Sequence, residues 1–203
     1  MKKVLAIVAL VAAMFVAGNV QAQNMIYAGY APETFAYSNS STNYQGFFVG
    51  FSRNVGISHG FGVAAGAEFR MNMKSTSELN GTLRTKSTQA LIDVPVLFNY
   101  GIAINRDLVI TPFVGPMLSF AVAGNTNTKT FLGDTQLTNT DVNWYGDNSD
   151  MNRFNVYAVF GADVKFSDFN LFGGYRLGQM DLEKSDYVTL KTNGLFVGIG
   201  MNF

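Results

Sequence analysis

The chain has 203 residues, of which 48% are hydrophobic, and this argues against disorder and fits a single folded domain. Charged residues make up only 14%, against roughly 25% in an average soluble domain, so charge is scarce for a surface in water. Cysteine is absent, which excludes disulfides, thiolate metal sites, a thiol nucleophile and a cysteine-linked lipid anchor. Basic and acidic residues balance at 14 each without a basic run, so nucleic acid is excluded as a partner.

The first 22 residues are typical of a cleaved secretory signal peptide. Lys2 and Lys3 precede an apolar core over residues 4–16, and Val20-Gln21-Ala22 is a small-residue cleavage site. The core is shorter than the ~18 residues of a membrane-spanning helix, and no later apolar stretch reaches that length. We therefore expect a Sec-type export signal over 1–22 and a mature domain over 23–203. Loss of the two lysines leaves 12 basic and 14 acidic residues, a net charge of −2 (12 − 14).

Eight segments of the mature chain alternate between apolar and small or polar residues, or have strong β composition, and helical periodicity is nearly absent. They lie near residues 25–37, 44–53, 61–74, 88–101, 108–121, 153–166, 170–182 and 192–203. Each is long enough to cross a bilayer, because a tilted strand needs only ~9 to 11 residues. Pro32 lies inside the first segment and weakens its pattern.

The connections between these segments alternate in length. Short turns join the second to the third segment, the fourth to the fifth and the sixth to the seventh, whereas polar stretches such as 75–87 and 122–152 join the others. Short turns at one end of a meander and long loops at the other are typical of outer-membrane barrels. We expect 122–152 to be a long surface loop and both termini to lie on the periplasmic side.

Alternation alone does not say which face meets water, so a soluble lipocalin-like ligand-binding barrel is an alternative. The polar face is largely Gly, Ala, Ser and Asn with few charges, and small residues suit the narrow interior of an eight-stranded barrel. Aromatic residues gather near the short turns, as at a membrane interface: Phe51, Phe61, Phe98, Tyr100, Phe166 and Phe203. The sequence therefore predicts an all-β fold, an eight-stranded antiparallel up-and-down transmembrane β-barrel.

The order of these features resembles the outer-membrane β-barrel domain family that includes PorT-like proteins and is akin to OmpA- and OmpX-type barrels. The resemblance rests on the signal peptide, the eight strands, LIDVPVLFNYG at 91–101, ITPFVGPMLSF at 110–120 and a last strand ending in Phe203. It implies a place in the cell outer membrane and insertion by the outer-membrane assembly machinery. In such families the machinery reads a C-terminal strand with alternate apolar residues, here Leu195, Val197, Ile199, Met201 and Phe203.

Six charged residues fall on the predicted inward faces: Glu68, Arg70, Asp93, Asp163, Lys165 and Arg176. Buried charges have to be paired. We interpret the six as a structural charge network that fills the lumen and argues against a general diffusion pore. A proton or ligand path along the same residues is the alternative interpretation.

No constellation indicates catalysis, and we expect no bound metal or cofactor. The single histidine, His59, falls in a predicted periplasmic turn with no carboxylate nearby in sequence to orient it. The stretch GDNSD at 146–150 lacks the ligand pattern of a calcium loop. Trp144 and Tyr145 in the long loop are candidates for a contact with a ligand or partner, and the alternative is an anchor that folds the loop onto the rim.

We expect a small, non-catalytic outer-membrane barrel with a structural or surface-interaction role, in contact with the lipid bilayer and with an envelope or extracellular protein bound through its loops. A PorT-like component that assists secretion is a second hypothesis, suggested only by the resemblance. A lipid-modifying enzyme is a third, and it would need His59 close to a serine and a carboxylate at the outer rim.

Overall fold

The structure is a computed structural model that describes residues 22–38, 40–78, 82–105, 107–132, 135–146, 151–183 and 189–203. The predicted signal peptide lies outside the described residues apart from Ala22, and of GDNSD only Gly146 is described. In the part of the chain that the structure describes, no helix is long and apolar enough to span a membrane.

Strands make up almost all of the described chain. In chain order they are β1 (Ala22–Tyr30), β2 (Glu33–Tyr37), β3 (Ser40–Ser58), β4 (Phe61–Glu78), β5 (Leu83–Tyr100), β6 (Ile102–Ala103), β7 (Leu108–Leu132), β8 (Thr135–Asn143), β9 (Phe154–Phe166), β10 (Phe169–Gly178) and β11 (Leu190–Asn202). The predicted segments fall on these strands. The seventh, predicted over 170–182, extends four residues beyond the end of β10 at Gly178.

Eight walls close into a ring. β1 and β2 together form the first wall, and this wall pairs antiparallel with β3 on one side and with β11 on the other. The remaining walls follow in the order β3, β4, β5, β7, β9, β10 and β11. This confirms the predicted eight-stranded antiparallel barrel.

The first wall is interrupted at Ala31 and Pro32 without a change of register. Tyr30 lies opposite Phe47 before the interruption and Glu33 opposite Tyr44 after it, so the inward side of the wall stays in phase. Glycines on both neighbouring strands make room for the interruption. A Cβ on Gly46 would lie 2.0 Å from the Ala31 carbonyl oxygen, and one on Gly194 would lie 2.1 Å from the Pro32 carbonyl oxygen. Any larger residue at either position would push the wall outward.

The outer surface of the barrel is apolar. Along β11 and at Phe203 directly after it, the five residues Leu195, Val197, Ile199, Met201 and Phe203 are 44 to 67% exposed, whereas the alternate residue Phe196 is buried. The same alternation runs along β4 and β9, with Ala65 as an exception that is only 1% exposed. Aromatic side chains cluster near the short turns, with the rings of Phe61 and Tyr100 4.7 Å apart. Surface of this kind is expected where a barrel faces lipid.

Three strands continue past the barrel and pair with a fourth, β8, in a polar extension here called the protruding sheet. It comprises residues 74–78 of β4, 83–88 of β5, 125–132 of β7 and all of β8, beyond the last pairs that β4 makes with β3 and β7 makes with β9. The predicted loops at 75–87 and 122–152 are therefore largely regular strand. Their polar Thr- and Asn-rich pattern lacks an apolar face because both faces of the protruding sheet meet water.

Prolines interrupt the ladders between β4, β5 and β7 in the half of the barrel near the short turns. The ladder from β7 to β9 runs through Pro112 and Pro116, whereas the ladder from β7 to β5 skips both, so their missing N–H groups lie on the β5 side. Pro95 likewise pairs toward β7 but not toward β4. Between Pro95 and the end of β5 at Tyr100, only Phe98 and Asn99 pair with β7.

An arginine on the outer surface distinguishes a lipid-facing position from a water-facing one. Leu195 near the middle of β11 and Leu137 on β8 are 63% and 57% exposed. We expect Leu195→Arg to lower the free energy of unfolding in vesicles by ~2 to 4 kcal/mol, a destabilisation, because the charge enters hydrocarbon. The matched variant Leu137→Arg should change it by less than ~0.5 kcal/mol. Equal effects in urea titrations would contradict a membrane boundary between the two positions.

Candidate functional site

The candidate site is a buried cluster of charged and polar side chains at the centre of the barrel. Arg70 on β4 is 1% exposed and donates through Nε to Asp93 Oδ2 on β5 at 2.7 Å. Its Nη1 donates to Glu33 Oε2 on β2, and its guanidinium lies 5.2 Å from the centre of the Tyr157 ring on β9. One arginine thereby links the first wall to β4 and β5 and packs against a fourth wall.

Neutral hydrogen bonds extend this cluster around the barrel. The Tyr157 hydroxyl donates to Glu33 Oε1 at 2.5 Å and lies 2.8 Å from Thr192 Oγ1 on β11. Asn72 on β4 donates to Glu33 and also to Gln89 Oε1 on β5 at 3.0 Å. Glu33 therefore accepts from three side chains. With Arg70 Nη2 donating to Ser119 Oγ on β7 at 3.4 Å, the cluster joins six of the eight walls.

A second ion pair lies nearer the short turns. Arg176 Nη2 on β10 is 2.9 Å from Glu68 Oε1 on β4, and both side chains are almost fully buried. The other two predicted members do not join either pair. Asp163 accepts from Asn170 at 2.6 Å, and Lys165 is half-buried with no ion pair among the described residues.

At the other end, side chains from strand ends and from the connections close the mouth of the barrel. Phe35, Tyr44, Leu182 and Leu190 form a buried cluster, and Trp144 packs against it with its ring centre 6.3 Å from that of Phe35. Trp144 Nε1 donates to Thr126 Oγ1 at 2.9 Å. Together these contacts form an aromatic plug over the central cluster.

Tyr145 enters the barrel beside Trp144. Its hydroxyl accepts from Gln89 Nε2 at 2.6 Å, and its ring lies 5.0 Å below the Arg153 guanidinium. Both predicted loop residues thus contact other parts of the protein, namely side chains of the barrel and, for Trp144, Thr126 of the protruding sheet. An anchor uses the two side chains in this way, whereas a stacking site for a ligand would leave a ring face free.

The connection from β10 to β11 is held on the mouth by Asp181. Its Oδ1 accepts from the backbone N–H of Leu190 at 2.8 Å and of Glu183 at 3.0 Å. Partial burial acts to raise the pKa of Asp181, but these donors, with the Thr189 hydroxyl and Lys191, lower it below its usual value. The stability that the Asp181 carboxylate contributes is fully present above the pKa of an unfolded aspartate. It is lost as the pH falls through the lowered pKa of Asp181 in the folded protein.

His59 lies in the two-residue turn between β3 and β4 with a φ of 49°. The hydroxyl of the neighbouring Ser58 approaches its Nδ1 to 2.5 Å, and both residues are exposed. In the described part of the chain no hydrogen bond to a carboxylate orients the ring. Nor does any group of three or more His, Cys, Asp or Glu there have the arrangement of a metal site.

The sequence did not point to Glu33 and Tyr157, which contact the Arg70 guanidinium in the central cluster beside Asp93. Glu33 has the same parity as Tyr27 and Ala31, both buried, so continuing the alternation through Pro32 would have placed it inside. Tyr157 lies on the inward face of β9, but no local pattern tells a tyrosine that completes an ion cluster from one that fills space.

The comparisons place this architecture among known proteins. A family model described as outer membrane protein beta-barrel domain matches residues 13–183. The solved structure of Ail, the attachment invasion locus protein of Yersinia pestis, aligns over 90% of this chain and 99% of its own, with a TM-score of 0.51 and 14% identity.

Two further solved structures are similar. Neisserial surface protein A aligns over 89% of this chain and 97% of its own, with a TM-score of 0.50 and 15% identity. A major outer membrane protein from Thermus thermophilus aligns over 90% and 99%, with a TM-score of 0.50 and 10% identity. No curated protein matches the chain significantly. Identities this low establish a shared fold and nothing about a shared partner.

Removing Arg70 tests the energetic weight of the central cluster. We expect Arg70→Met to destabilise the barrel by ~3 to 5 kcal/mol because Glu33 and Asp93 are left buried without their cation. Adding Asp93→Asn and Glu33→Gln should recover part of that loss, and the exposed Arg84→Met is the control with an effect below ~1 kcal/mol. Urea titrations in vesicles measure all three variants. Equal stability of Arg70→Met and the control would contradict a buried, charge-paired interior.

Proposed function

Because this chain belongs to the outer membrane protein β-barrel domain family and lies in the bilayer of the outer membrane, we propose that it is a non-catalytic surface protein whose protruding sheet binds an anionic partner outside the cell. The barrel supplies a rigid support, since the central cluster links its walls and the aromatic plug closes its mouth. The part left for recognition is the sheet that projects into water.

A cationic face on the protruding sheet carries this proposal. Arg84 on β5 lies directly opposite Lys129 on β7, and Lys86 falls on the same face two residues along β5. Like charges directly opposite one another on neighbouring strands are destabilising. The ion pairs found among the described residues all lie inside the barrel, so none relieves this repulsion. An anion bound across the two strands would relieve this repulsion.

The surroundings of these cations suit a polar ligand. Asp141 on β8 shares the face, but its carboxylate accepts from Asn127 at 2.7 Å, and Asn127 also donates to Asn139 at 2.6 Å. The Arg84 guanidinium lies 4.8 Å from the centre of the Phe131 ring, which restricts its orientation. A planar guanidinium held in place recognises sulfate, phosphate or carboxylate groups through paired hydrogen bonds.

The choice of probe follows from one of the similar structures. The Ail structure that shares this fold was solved in complex with the heparin analogue sucrose octasulfate, a densely anionic sugar. The same class of compound is a suitable first ligand for the cationic face described here. The assisted-secretion hypothesis has no comparable support from particular residues.

The cationic face can be tested against the opposite face of the same sheet. We expect Arg84→Gln with Lys129→Gln to weaken binding of sucrose octasulfate at least tenfold and to leave stability unchanged or improved, because it removes a repulsion. Lys74→Gln is the matched control, since Lys74 lies opposite Ser87 and so points to the other face. Calorimetric titration of the full chain in detergent, at low and high salt, measures the affinities. Absence of binding by the parent chain, or equal loss in the control, would refute the proposal.

The five outward residues of β11 are also proposed to serve as the signal for the outer-membrane assembly machinery. Phe203 is 67% exposed at the end of the strand, and its backbone N–H donates to Asn24 O at 3.0 Å. We expect Phe203→Asp to reduce the amount of folded barrel in cells several-fold, with refolding of the purified chain into vesicles much less affected. Heat-dependent gel mobility separates folded from unfolded chain in both experiments. Normal cellular levels of folded barrel would count against the signal.

A further inference from the structure

The barrel contains a cavity of about 150 Å³ between the central cluster and the short turns. Its wall is mostly apolar and includes Phe113, Met117, Val159 and Phe172. An engineered apolar cavity of about 150 Å³ stays dry and takes up benzene. The chamber is therefore large enough for one small hydrocarbon molecule.

The charged side chains in the lining do not favour a charged ligand. Two are acidic and two are basic, so the net charge of the lining is zero: Glu68, Asp163, Lys165 and Arg176. Glu68 lies 2.9 Å from Arg176, and Asp163 accepts a 2.6 Å hydrogen bond from Asn170. A charged ligand would lose its hydration in the apolar chamber, whereas an uncharged apolar molecule gains free energy from burial.

The cavity is bordered by four residues of β5 that are each paired on one side only. Val94 and Pro95 pair with β7 but not with β4. Val96 and Leu97 pair with β4 but not with β7. Pro95 and Leu97 line the cavity. Backbone with fewer ladder contacts opens locally at a lower cost in free energy, so we expect the wall to open at this segment.

The outer side of the gap between β5 and β7 faces lipid. The flanking pairs place Pro116 opposite Val96, and a proline has no N–H to donate across the strands. Phe98 and Val114 form the next pair toward the short turns, and each is 58% exposed on the outer surface. Separation of β5 from β7 at this point therefore connects the cavity with the bilayer, in which uncharged apolar molecules concentrate.

We propose that the cavity is a binding site for a small uncharged apolar molecule, such as a single-ring aromatic hydrocarbon, that enters sideways from the bilayer between β5 and β7. The molecule packs against Phe113, Met117 and Phe172 and supplies the dispersion contacts that an empty chamber lacks. The site is separate from the cationic face of the protruding sheet and does not depend on the function proposed for it.

Benzene is the probe, and triisopropylbenzene is a control of the same chemistry that is too large for the cavity. The Met117 side chain lies in the cavity wall and is 1% exposed, so its methyl signal reports binding in ¹³C-methyl spectra of the full chain in detergent, assigned through Met117→Leu. We expect a saturable shift of this signal with benzene and none with triisopropylbenzene. A shift with both compounds, or with neither, would overturn the proposal.

Two substitutions on β9 distinguish the cavity from the outer surface. Val159→Phe fills the chamber, whereas Val164→Phe adds the same ring on the outer side of the strand, where Val164 is 37% exposed. We expect Val159→Phe to weaken benzene binding at least tenfold and Val164→Phe to leave it unchanged. Heat-dependent gel mobility shows that the variants fold. Equal affinity of the two folded variants would place benzene outside the cavity and contradict the site.

A cross-link tests the route of entry, and it remains informative if Val159→Phe does not fold. The chain has no cysteine, so Val96→Cys with Pro116→Cys introduces a single disulfide across the gap. Val164→Cys with Leu171→Cys is the control, since these residues lie directly opposite each other in the continuous ladder of β9 and β10. We expect oxidation to slow benzene exchange at the Met117 signal at least tenfold across the gap, reversibly with a reductant, and to leave the control unchanged. Unchanged exchange across the gap after complete oxidation, or equal slowing in both variants, would refute entry between β5 and β7.

Discussion

The fold depends on one constraint: in hydrocarbon every backbone N–H and C=O needs a partner within the protein, so the sheet has to close. The first wall meets this requirement by pairing with β3 along one edge and with β11 along the other. The Pro32 interruption is tolerated because the register continues unchanged and because Gly46 and Gly194 let the neighbouring strands stay close. Closure with eight walls then sets an interior that side chains can fill.

Closure also makes the charged interior specific. A slip of one residue along any wall exchanges its inner and outer faces. If the first wall slipped, Glu33 would move into lipid and Arg70 would lose one of its two carboxylates. The same argument applies to Asp93 on β5 and to Arg70 on β4, which are bonded to each other across neighbouring strands. The central cluster therefore destabilises wrong registers by more than it stabilises the right one.

Much of this arrangement could be predicted from the sequence, because the strands of a barrel in lipid alternate between apolar residues that face outward and small or polar residues that face inward. The faces of β9 and β11 and the buried positions of Glu68, Arg70, Asp93 and Arg176 follow from that period. The partners of these charges do not, since Arg70 meets Glu33 from 37 positions away and only the closed ring brings them together. The protruding sheet could not be predicted, because its two faces have the same surroundings. With water on both faces, its strands carry no alternation and look like loops.

The two halves of the barrel differ in how tightly they are held. Toward the protruding sheet the central cluster and the aromatic plug pack the interior, while toward the short turns a cavity of about 150 Å³ lies beside the interrupted ladder of β5 and β7. Leu97 and Phe113 line that cavity from the two strands concerned. Gly115 keeps the strands in contact there, since a Cβ on it would lie 2.1 Å from the Val96 carbonyl oxygen. Contact without hydrogen bonds opens more easily than a paired ladder. The interrupted part of the ladder between β5 and β7 therefore borders the cavity, and separation of these two strands would open the cavity.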